Sequence, residues 1–177
     1  MIDLDDIYTP TSNWLKKNEK VALATVISTW GSSPRQVGGQ MAINLLGEII
    51  GSVSGGCVES SVISEAKISI QDREIKIKDY GISDNMAWEV GLACGGELKI
   101  LILPLEPRDK IVLEIVEKIK KRMPVVLSIN LNDGKRTILE ADKKQFSQIS
   151  YLDKEKNIFY HFISPKPRLF IVGAVHI

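Results

Sequence analysis

The sequence predicts an α/β or α+β fold in which helices pack on a mixed β-sheet. Amphipathic segments of helical period alternate along the chain with β-branched segments, and some neighbouring strands are joined by turns too short to contain a helix. The chain has 177 residues, 44% of them hydrophobic and 25% charged, which is typical of a globular protein with a packed core. Its formal net charge of +1 gives no electrostatic reason to expect a nucleic acid or a membrane surface as partner.

The first elements are a helix and a buried strand. Apolar residues at helical spacing predict a helix over residues 2–19. Pro10 either splits this helix or moves its start to Thr11 or Ser12, each of which can cap a helix. The β-branched stretch VALATVIST, residues 21–29, predicts a buried strand.

A loop, a hairpin and a second helix come next. WGSSPRQVGGQ is too rich in Gly, Ser and Pro for a regular element. Two strands are predicted at 40–45 and 48–53, with a tight turn near Leu46 and Gly47. Apolar residues recur at helical spacing from Cys57 to about Gln71, which predicts an amphipathic helix.

The remaining pattern continues this alternation. REIKIKDY predicts a half-exposed strand and ELKILILPL a central one, and a second amphipathic helix is predicted from Arg108 to Arg122. VVLSINL and RTILEA predict a hairpin, because the Asp-Gly between them suits a tight turn. KNIFYHFIS predicts another strand, on which we expect His161 to be a surface residue.

The last residues differ from the rest. PKPRLFIVGAVHI begins as a proline-rich linker and continues as a buried strand that runs into glycine, which is how a nucleotide-binding βαβ unit begins. We therefore expect one domain over residues 1–164, and over 165–177 a linker with the first strand of an absent or truncated Rossmann domain.

The chain contains two cysteines, each beside a pair of glycines. The first residues are acidic and do not resemble a signal peptide, and the longest apolar run is too short to span a bilayer. These features predict a cytoplasmic protein in which thiols stay reduced. Too few Cys and His residues lie close together for a structural zinc site, and there is no Walker-type phosphate loop.

Cys57 is expected at the start of a helix, where a thiolate is favoured and acts as a nucleophile or soft metal ligand. Gly55 and Gly56 would allow close approach of a ligand, and the local N–H groups would hold a phosphate. Cys94 is expected at the mouth of the central strand, where α/β folds bind ligands. For each cysteine the alternative is a packed thiol in a tight turn. The functional interpretation is that both cysteines line one shared pocket.

Arg35 lies in a Gly- and Ser-rich loop directly after a buried strand. A fixed guanidinium there suits a phosphate or carboxylate, and the hydroxyls of Ser32 and Ser33 can donate to the same anion. The alternative is a solvated loop arginine.

Three motifs together resemble the xanthine dehydrogenase accessory protein family, XdhC/CoxI. They are ALATVISTWGSSPRQVGGQM, GEIIGSVSGGCVESSVISEA and GLACGGELKILILPL, in this order. RLFIVGAVHI resembles the first strand of the Rossmann domain that follows in longer members. The resemblance covers residues 20–105 most strongly.

The resemblance implies a chaperone, not an enzyme, for the molybdenum cofactor (molybdopterin). Such a chaperone protects the cofactor during sulfuration and delivers it to a xanthine dehydrogenase-type or CO dehydrogenase-type hydroxylase. It also implies a cysteine desulfurase-type sulfur donor as partner and a homo-oligomer. The implied cofactor contacts are Ser32, Ser33, Pro34 and Arg35; Ser54, Gly55, Gly56 and Cys57; and Cys94, Gly95 and Gly96. Cys57 is the expected molybdenum contact, and Arg35 with the Gly55 and Gly56 backbone would hold the phosphate end.

Two other functions stay open at this point. One is a thiol-dependent redox or sulfur-transfer enzyme, in which Cys57 is the nucleophile and Cys94 resolves. The other is a docking module for the hydroxylase, in which the glycines only shape loops.

Overall fold

The computed structural model describes residues 6–33, 35–81, 96–139 and 149–165, and residue 173. In chain order the elements are α1 (Tyr8–Lys16), β1 (Val21–Trp30), β2 (Gln40–Asn44), β3 (Ile49–Gly51), α2 (Glu59–Asp72), β4 (Lys76–Tyr80), β5 (Glu97–Leu105), α3 (Lys110–Lys120), β6 (Val125–Asn130), β7 (Arg136–Leu139), β8 (Tyr151–Asp153) and β9 (Ile158–Ile163). None of these helices is long and apolar enough to cross a membrane.

The strands form two separate sheets. The larger has five strands in the order β3-β2-β1-β5-β4, and the smaller has four in the order β7-β6-β9-β8. All the neighbouring strands within the described ranges are antiparallel. The predicted fold class is confirmed, but the strands make two antiparallel sheets where we expected one mixed sheet.

The two long helices explain this arrangement. α2 carries the chain from one edge of the larger sheet, β3, to its other edge, β4, and α3 carries it from the larger sheet to the smaller. Neither helix connects neighbouring parallel strands, which is the connection that would build a parallel or mixed sheet.

The larger sheet is the middle layer of the protein, and its central strands are buried on both faces. In β1 every residue from Val21 to Ile27 is buried. Because successive side chains in a strand point to opposite faces, Val21 and Leu23 pack in the cluster formed with α1, α3 and the smaller sheet. Ala22 and Ala24 pack in the cluster formed with α2. Both faces of β1 are thus covered, which leaves the end of this strand for contact with a ligand.

The start of α1 differs from our expectation. The helix begins at Tyr8, so Pro10 lies in its first turn, where a missing N–H costs no intrahelical hydrogen bond. Asp6 Oδ1 accepts hydrogen bonds from the amides of the first two helical residues, both at 3.0 Å. The N-cap position is Ile7, and the side chain that binds the first helical amides is that of Asp6. The predicted caps Thr11 and Ser12 are buried inside the helix.

Most other boundaries agree with the predictions to within a few residues. The central strand coincides with β5, and the predicted Asp-Gly turn joins β6 to β7, with Gly134 at φ +71°. β8 was not predicted, because a strand of three residues carries too little pattern to detect.

Candidate functional site

The three sequence motifs lie together at one end of the strands of the larger sheet. In the strand register Trp30 at the end of β1 pairs with Glu97 at the start of β5, and Tyr80 at the end of β4 pairs with Leu98. Gly51 at the end of β3 lies opposite Met41 near the start of β2. We call these strand ends, with the loop residues 31–33, 35–39 and 52–58 and with Gly96, the loop edge.

The loop before α2 is organised around the carboxylate of Glu59. Oε1 accepts hydrogen bonds from the Ser52 hydroxyl at 2.7 Å, the Val53 amide at 3.3 Å and the Ser54 amide at 2.9 Å. Oε2 accepts from the Gly56 amide at 2.8 Å and from the Ser54 hydroxyl. These loop amides, which we expected to hold a phosphate, therefore hold a carboxylate of the chain itself.

This hydrogen bonding makes Glu59 a fixed anion. Its partial burial by itself would raise the pKa, but the hydroxyls of Ser54 and Ser52 and the neighbouring backbone amides outweigh that effect and lower the pKa from 4.5 to about 2. Ser54 is fully buried, and its Oγ also accepts from the Val58 amide at 2.9 Å. The Ser54 hydroxyl thus holds the loop together from the inside.

Cys57 is a free, exposed thiol on this loop. The helix that follows begins at Glu59, two residues after the predicted start at Cys57, and its N-cap is Val58. Gly55 and Gly56 have φ values of +73° and +116°, which other residues rarely adopt, so both glycines are required by the turn. The alternative in which Cys57 is a packed, buried thiol is wrong.

The third motif contacts the first at Gly96, which is buried at the start of β5. A Cβ atom added to Gly96 would lie 2.4 Å from the carbonyl oxygen of Ser32 and 3.0 Å from that of Trp30. Only glycine therefore allows the chain entering β5 to pass so close to the loop leaving β1. The structure brings the last residue of the CGG motif into direct backbone contact with the SSPR motif at the loop edge.

The other predicted site residues are distributed as follows. The Ser33 hydroxyl donates to the carbonyl oxygen of Arg35 at 2.7 Å, so it stabilises the turn of its own loop. Cys94, Gly95 and Pro34 lie outside the described residues. The convergence of Cys57 and Cys94 on one pocket thus stays a prediction.

A cavity of about 390 Å³ lies between the larger and the smaller sheet, and we call it the inter-sheet cavity. This volume is in the range of sites that bind small molecules. The polar side chains that line it are Asp6, Tyr8, Arg35, Gln40, Ser52, His161 and Ser164. Ser52 belongs both to this wall and to the loop held by Glu59, so the cavity adjoins the loop that carries Cys57.

Tyr8 is the most unusual of these side chains. It is 4% exposed, and its hydroxyl makes no hydrogen bond within the described part of the chain. Burial raises its pKa, an effect that Gln40 and Arg136 offset only in part. The Gln40 amide itself donates to Thr25 Oγ1 at 3.0 Å. Tyr8 is therefore a buried, protonated phenol that Gln40 approaches, although its hydroxyl makes no hydrogen bond of normal geometry among the described residues.

His161 is buried against the same cavity, so the expectation of a strand-surface residue was wrong. It is 6% exposed, its Nδ1 lies 2.9 Å from Ser150 Oγ, and its ring stacks on Phe159 with 5.9 Å between centroids. Burial lowers its pKa from 6.5 to about 4, so the imidazole is neutral at pH 7. The sequence held one signal: His161 shares a strand face with Phe159, two residues earlier, which is a core residue.

The charges around the inter-sheet cavity are few. Arg35 is exposed, and among the described ion pairs it has no carboxylate partner. Asp6 also lines the cavity, but its Oδ1 is engaged by the two amides at the start of α1. The described residues contain no group of three or more His, Cys, Asp or Glu side chains that could hold a metal. They offer a soft ligand, Cys57, and not a complete metal site.

Sequence reasoning missed Tyr8 and Glu59. Tyr8 lies within a segment that was predicted as helical, and nothing in the local pattern distinguishes it from other core-facing residues. Glu59 had a usable signal, because an acidic residue in the first turn of a helix is well placed to accept from the amides of the loop before it.

Comparison with known proteins agrees with the resemblance seen in the sequence. Residues 14–81 match the XdhC and CoxI family, a region that includes the SSPR and SGGC motifs. The molybdenum cofactor insertion chaperone PaoD of Escherichia coli strain K12 is 31% identical over 64% of this chain and 35% of its own length. A probable xanthine dehydrogenase subunit from Bacillus subtilis strain 168 is 23% identical over 97% of this chain and 58% of its own length.

A solved structure shows the same fold. The crystal structure of a xanthine dehydrogenase from Bacillus halodurans matches with a TM-score of 0.71 and 21% identity, covering 90% of this chain and 53% of the other. The chain thus spans less than two thirds of each of these related proteins.

Proposed function

We propose, from the match of residues 14–81 to the XdhC and CoxI family, that the chain is a carrier of the molybdenum cofactor in the maturation of molybdenum hydroxylases. It binds the cofactor, protects it during sulfuration and delivers it to a hydroxylase of the xanthine dehydrogenase or CO dehydrogenase type. The similarity to an insertion chaperone supports this function.

The observation that carries the proposal is the position of Cys57. It is an exposed thiol between a glycine turn and a helix, on a loop that five hydrogen bonds to the Glu59 carboxylate hold in place. Thiolates are soft ligands that suit molybdenum-sulfur chemistry. The cofactor would supply the molybdenum and its dithiolene sulfurs, and the chain would supply the thiol and the surrounding shape.

The residues present fit such a group. Cys57 is accessible, Gly55 and Gly56 leave no side chains beside it, and a Cβ added to Gly56 would meet no atom within 4 Å. We propose Cys94 as a second thiol, since Gly96, two residues further along its motif, already contacts the Ser32 loop. The Gly56 amide is engaged by Glu59, so within this proposal the phosphate end of the cofactor is held elsewhere.

We further propose the setting of this function. The partners are a hydroxylase and a cysteine desulfurase-type sulfur donor, the carrier forms a homo-oligomer, and the transfer takes place in the cytoplasm, where thiols remain reduced. Residues 165–177 are proposed as a linker and the start of a second, Rossmann-type domain.

Metal and pterin analysis tests the function. The chain is expressed in cells that make the cofactor, purified, and compared with Cys57→Ala, Cys94→Ala and, as a control, Ser64→Ala on the exposed face of α2. We expect bound molybdenum to fall at least about ten-fold in both cysteine variants, the effect of losing about 1.4 kcal/mol of binding free energy, and to stay unchanged in the control. Equal molybdenum in all four proteins would contradict the assignment of the thiols.

The same samples separate the alternatives. A Cys57–Cys94 disulfide or persulfide, with turnover of a small substrate in the absence of metal, would favour a sulfur-transfer enzyme. Retention of hydroxylase binding by both cysteine variants, without any bound cofactor in the wild type, would favour a docking module.

A further inference from the structure

His161 carries a hydrogen-bond donor that the fold does not use. The imidazole is neutral because burial lowers its pKa, so one ring nitrogen donates and the other accepts. Ser150 Oγ accepts from the Phe162 amide at 3.0 Å and lies 2.9 Å from His161 Nδ1. Within the described ranges Nδ1 is the acceptor that the Ser150 hydroxyl can reach. The ring proton of His161 is therefore on Nε2.

This donor is accessible from the inter-sheet cavity. His161 is 6% exposed and lines the cavity wall. In the described part of the chain, the hydroxyl oxygen of Tyr8 is the sole fully enclosed side-chain N or O atom without a partner. Nε2 of His161 also has no partner there, and since it is not enclosed it keeps access to the cavity. The wall thus presents a neutral N–H group whose acceptor must come from outside the described residues.

Asp6 supplies an acceptor to the same cavity. Its Oδ1 accepts from the amides of Tyr8 and Thr9, which fixes the orientation of the carboxylate. Oδ2 accepts no hydrogen bond and forms no ion pair among the described residues. A carboxylate oxygen in this position repels an anion and binds a ligand that donates N–H groups.

The rest of the wall suits a flat ring. Apolar side chains line the cavity between these polar groups, and they are those of Ile7, Ile50, Ile119, Phe162 and Ile163. Small-molecule sites combine such apolar walls with a few polar groups that fix the orientation of the ligand. The volume of about 390 Å³ is sufficient for a bicyclic ring.

We propose that the inter-sheet cavity binds a heteroaromatic ring with a pterin-type edge, on which an amino group, a ring N–H and a carbonyl oxygen lie side by side. The amino and ring N–H groups donate to Asp6, and the carbonyl oxygen accepts from His161 Nε2. Pterins and guanine share this edge. The identification of the ring as the pterin of the molybdenum cofactor rests on the proposed function, and a guanine nucleotide is the other source of the same chemistry. The cavity shares Ser52 with the loop that carries Cys57, so it adjoins the proposed molybdenum contact.

The experiment measures binding of three small rings to the full chain by calorimetry. They are hydroxymethylpterin, guanosine and hydroxymethyllumazine, in which a second carbonyl oxygen replaces the amino group of the pterin. None of them carries a phosphate or a sulfur, so their binding does not depend on Cys57. The variants are Asp6→Asn and, as a matched control, Asp72→Asn, which changes an exposed carboxylate outside the cavity.

We expect the wild type and Asp72→Asn to bind the pterin at least about ten-fold more tightly than the lumazine, because a hydrogen bond to a charged group accounts for a difference of this size. Asp6→Asn keeps a carbonyl oxygen for the amides of α1 and places an NH2 group where Oδ2 was. Its preference should therefore be lost or reversed in favour of the lumazine. A purely structural role of Asp6 would weaken both rings by the same factor.

Nitrogen NMR of isotope-labelled histidine tests the other contact. The chain has two histidines, and a His176→Gln variant identifies the signal of His161. We expect the tautomer protonated on Nε2 in the free protein, and a shift of the Nε2 signal when the pterin is added. The same shift is expected in Cys57→Ala, which leaves the cavity intact. An Nε2 signal that does not respond to bound pterin would overturn the assignment of His161.

The remaining outcomes separate this site from the carrier function. If guanosine binds with the expected dependence on Asp6 and the pterin does not, the ring site is supported and its ligand is a guanine nucleotide. If the pterin binds as expected but no molybdenum purifies with the chain, the ring site is supported and the carrier function fails. If the wild type binds pterin and lumazine equally, or binds none of the rings, the ring site is refuted, and the molybdenum content of the cysteine variants still decides the carrier function.

Discussion

Replacing Glu59 with Gln tests whether a single carboxylate holds the loop that carries Cys57. Gln keeps the length and the carbonyl oxygen of the side chain, but it removes the negative charge. Its NH2 group also takes the place of Oε2, the oxygen that accepts from the Gly56 amide and the Ser54 hydroxyl. The variant therefore loses two acceptor contacts and leaves the packing of the helix unchanged.

The lowered pKa sets the size of the effect. A carboxyl group with a pKa of 4.5 when unfolded and about 2 when folded would stabilise the protein by about 3 kcal/mol if it were shielded from water. Glu59 is partly exposed, and solvent screening reduces this to about 1–2 kcal/mol. Because the folded pKa lies below the unfolded one, this contribution is complete above pH 4.5 and is lost as the pH falls toward 2.

Urea unfolding at pH 7 and pH 3 measures the free energy of unfolding for the wild type, Glu59→Gln and a control, Glu114→Gln. Glu114 is exposed and forms only a 3.7 Å pair with Lys118, so its replacement should change stability by less than about 0.5 kcal/mol. We expect Glu59→Gln to be about 1–2 kcal/mol less stable at pH 7, with at least about half of this deficit gone at pH 3. Amide hydrogen exchange at residues 53, 54 and 56 should be faster in the variant.

Two results would refute this reasoning. One is a Glu59→Gln protein as stable at pH 7 as the wild type, with unchanged amide exchange. The other is a deficit of the same size at pH 7 and pH 3, which would mean that the variant loses packing and not the interactions of a charge.

Three further predictions concern other parts of the fold. Burial of His161 lowers its pKa from 6.5 to about 4, so its contribution to stability is complete above pH 6.5 and falls by up to about 3 kcal/mol toward pH 4. In urea unfolding, His161→Gln should flatten the dependence of the unfolding free energy on pH in this range, and an unchanged slope would contradict the assignment. Asp109 caps α3 and forms a buried ion pair with Arg136, so Asp109→Ala should cost about 3–5 kcal/mol in the same assay, and a cost below about 1 kcal/mol would show that the pair is solvated. Gly96→Ala should lower the melting temperature by several degrees, because the added Cβ would meet backbone atoms. Gly81→Ala is the control and should have a much smaller effect, because its Cβ would meet the flexible Glu97 side chain at 2.9 Å. Equal effects would argue against the tight contact at Gly96.

Much of the local structure could be predicted because the information lies in short windows. The strand β5 follows from an uninterrupted apolar run, and the turn at Gly134 follows from the Asp-Gly pair. The position of Cys57 just before a helix and that of Gly96 at the start of β5 follow from the glycines that interrupt the apolar pattern. Local periodicity and turn chemistry depend on near neighbours, so they can be recognised without the tertiary structure.

The tertiary structure decided what each side chain contacts. That His161 and Tyr8 are buried in one cavity depends on how the smaller sheet and α1 pack against the larger sheet, and these segments are far apart in sequence. The use of the Gly56 amide by Glu59 depends on the angle at which the loop enters α2. Burial, hydrogen-bond partners and pKa values arise from the three-dimensional arrangement of these segments, and a pattern along the chain holds no direct record of that arrangement.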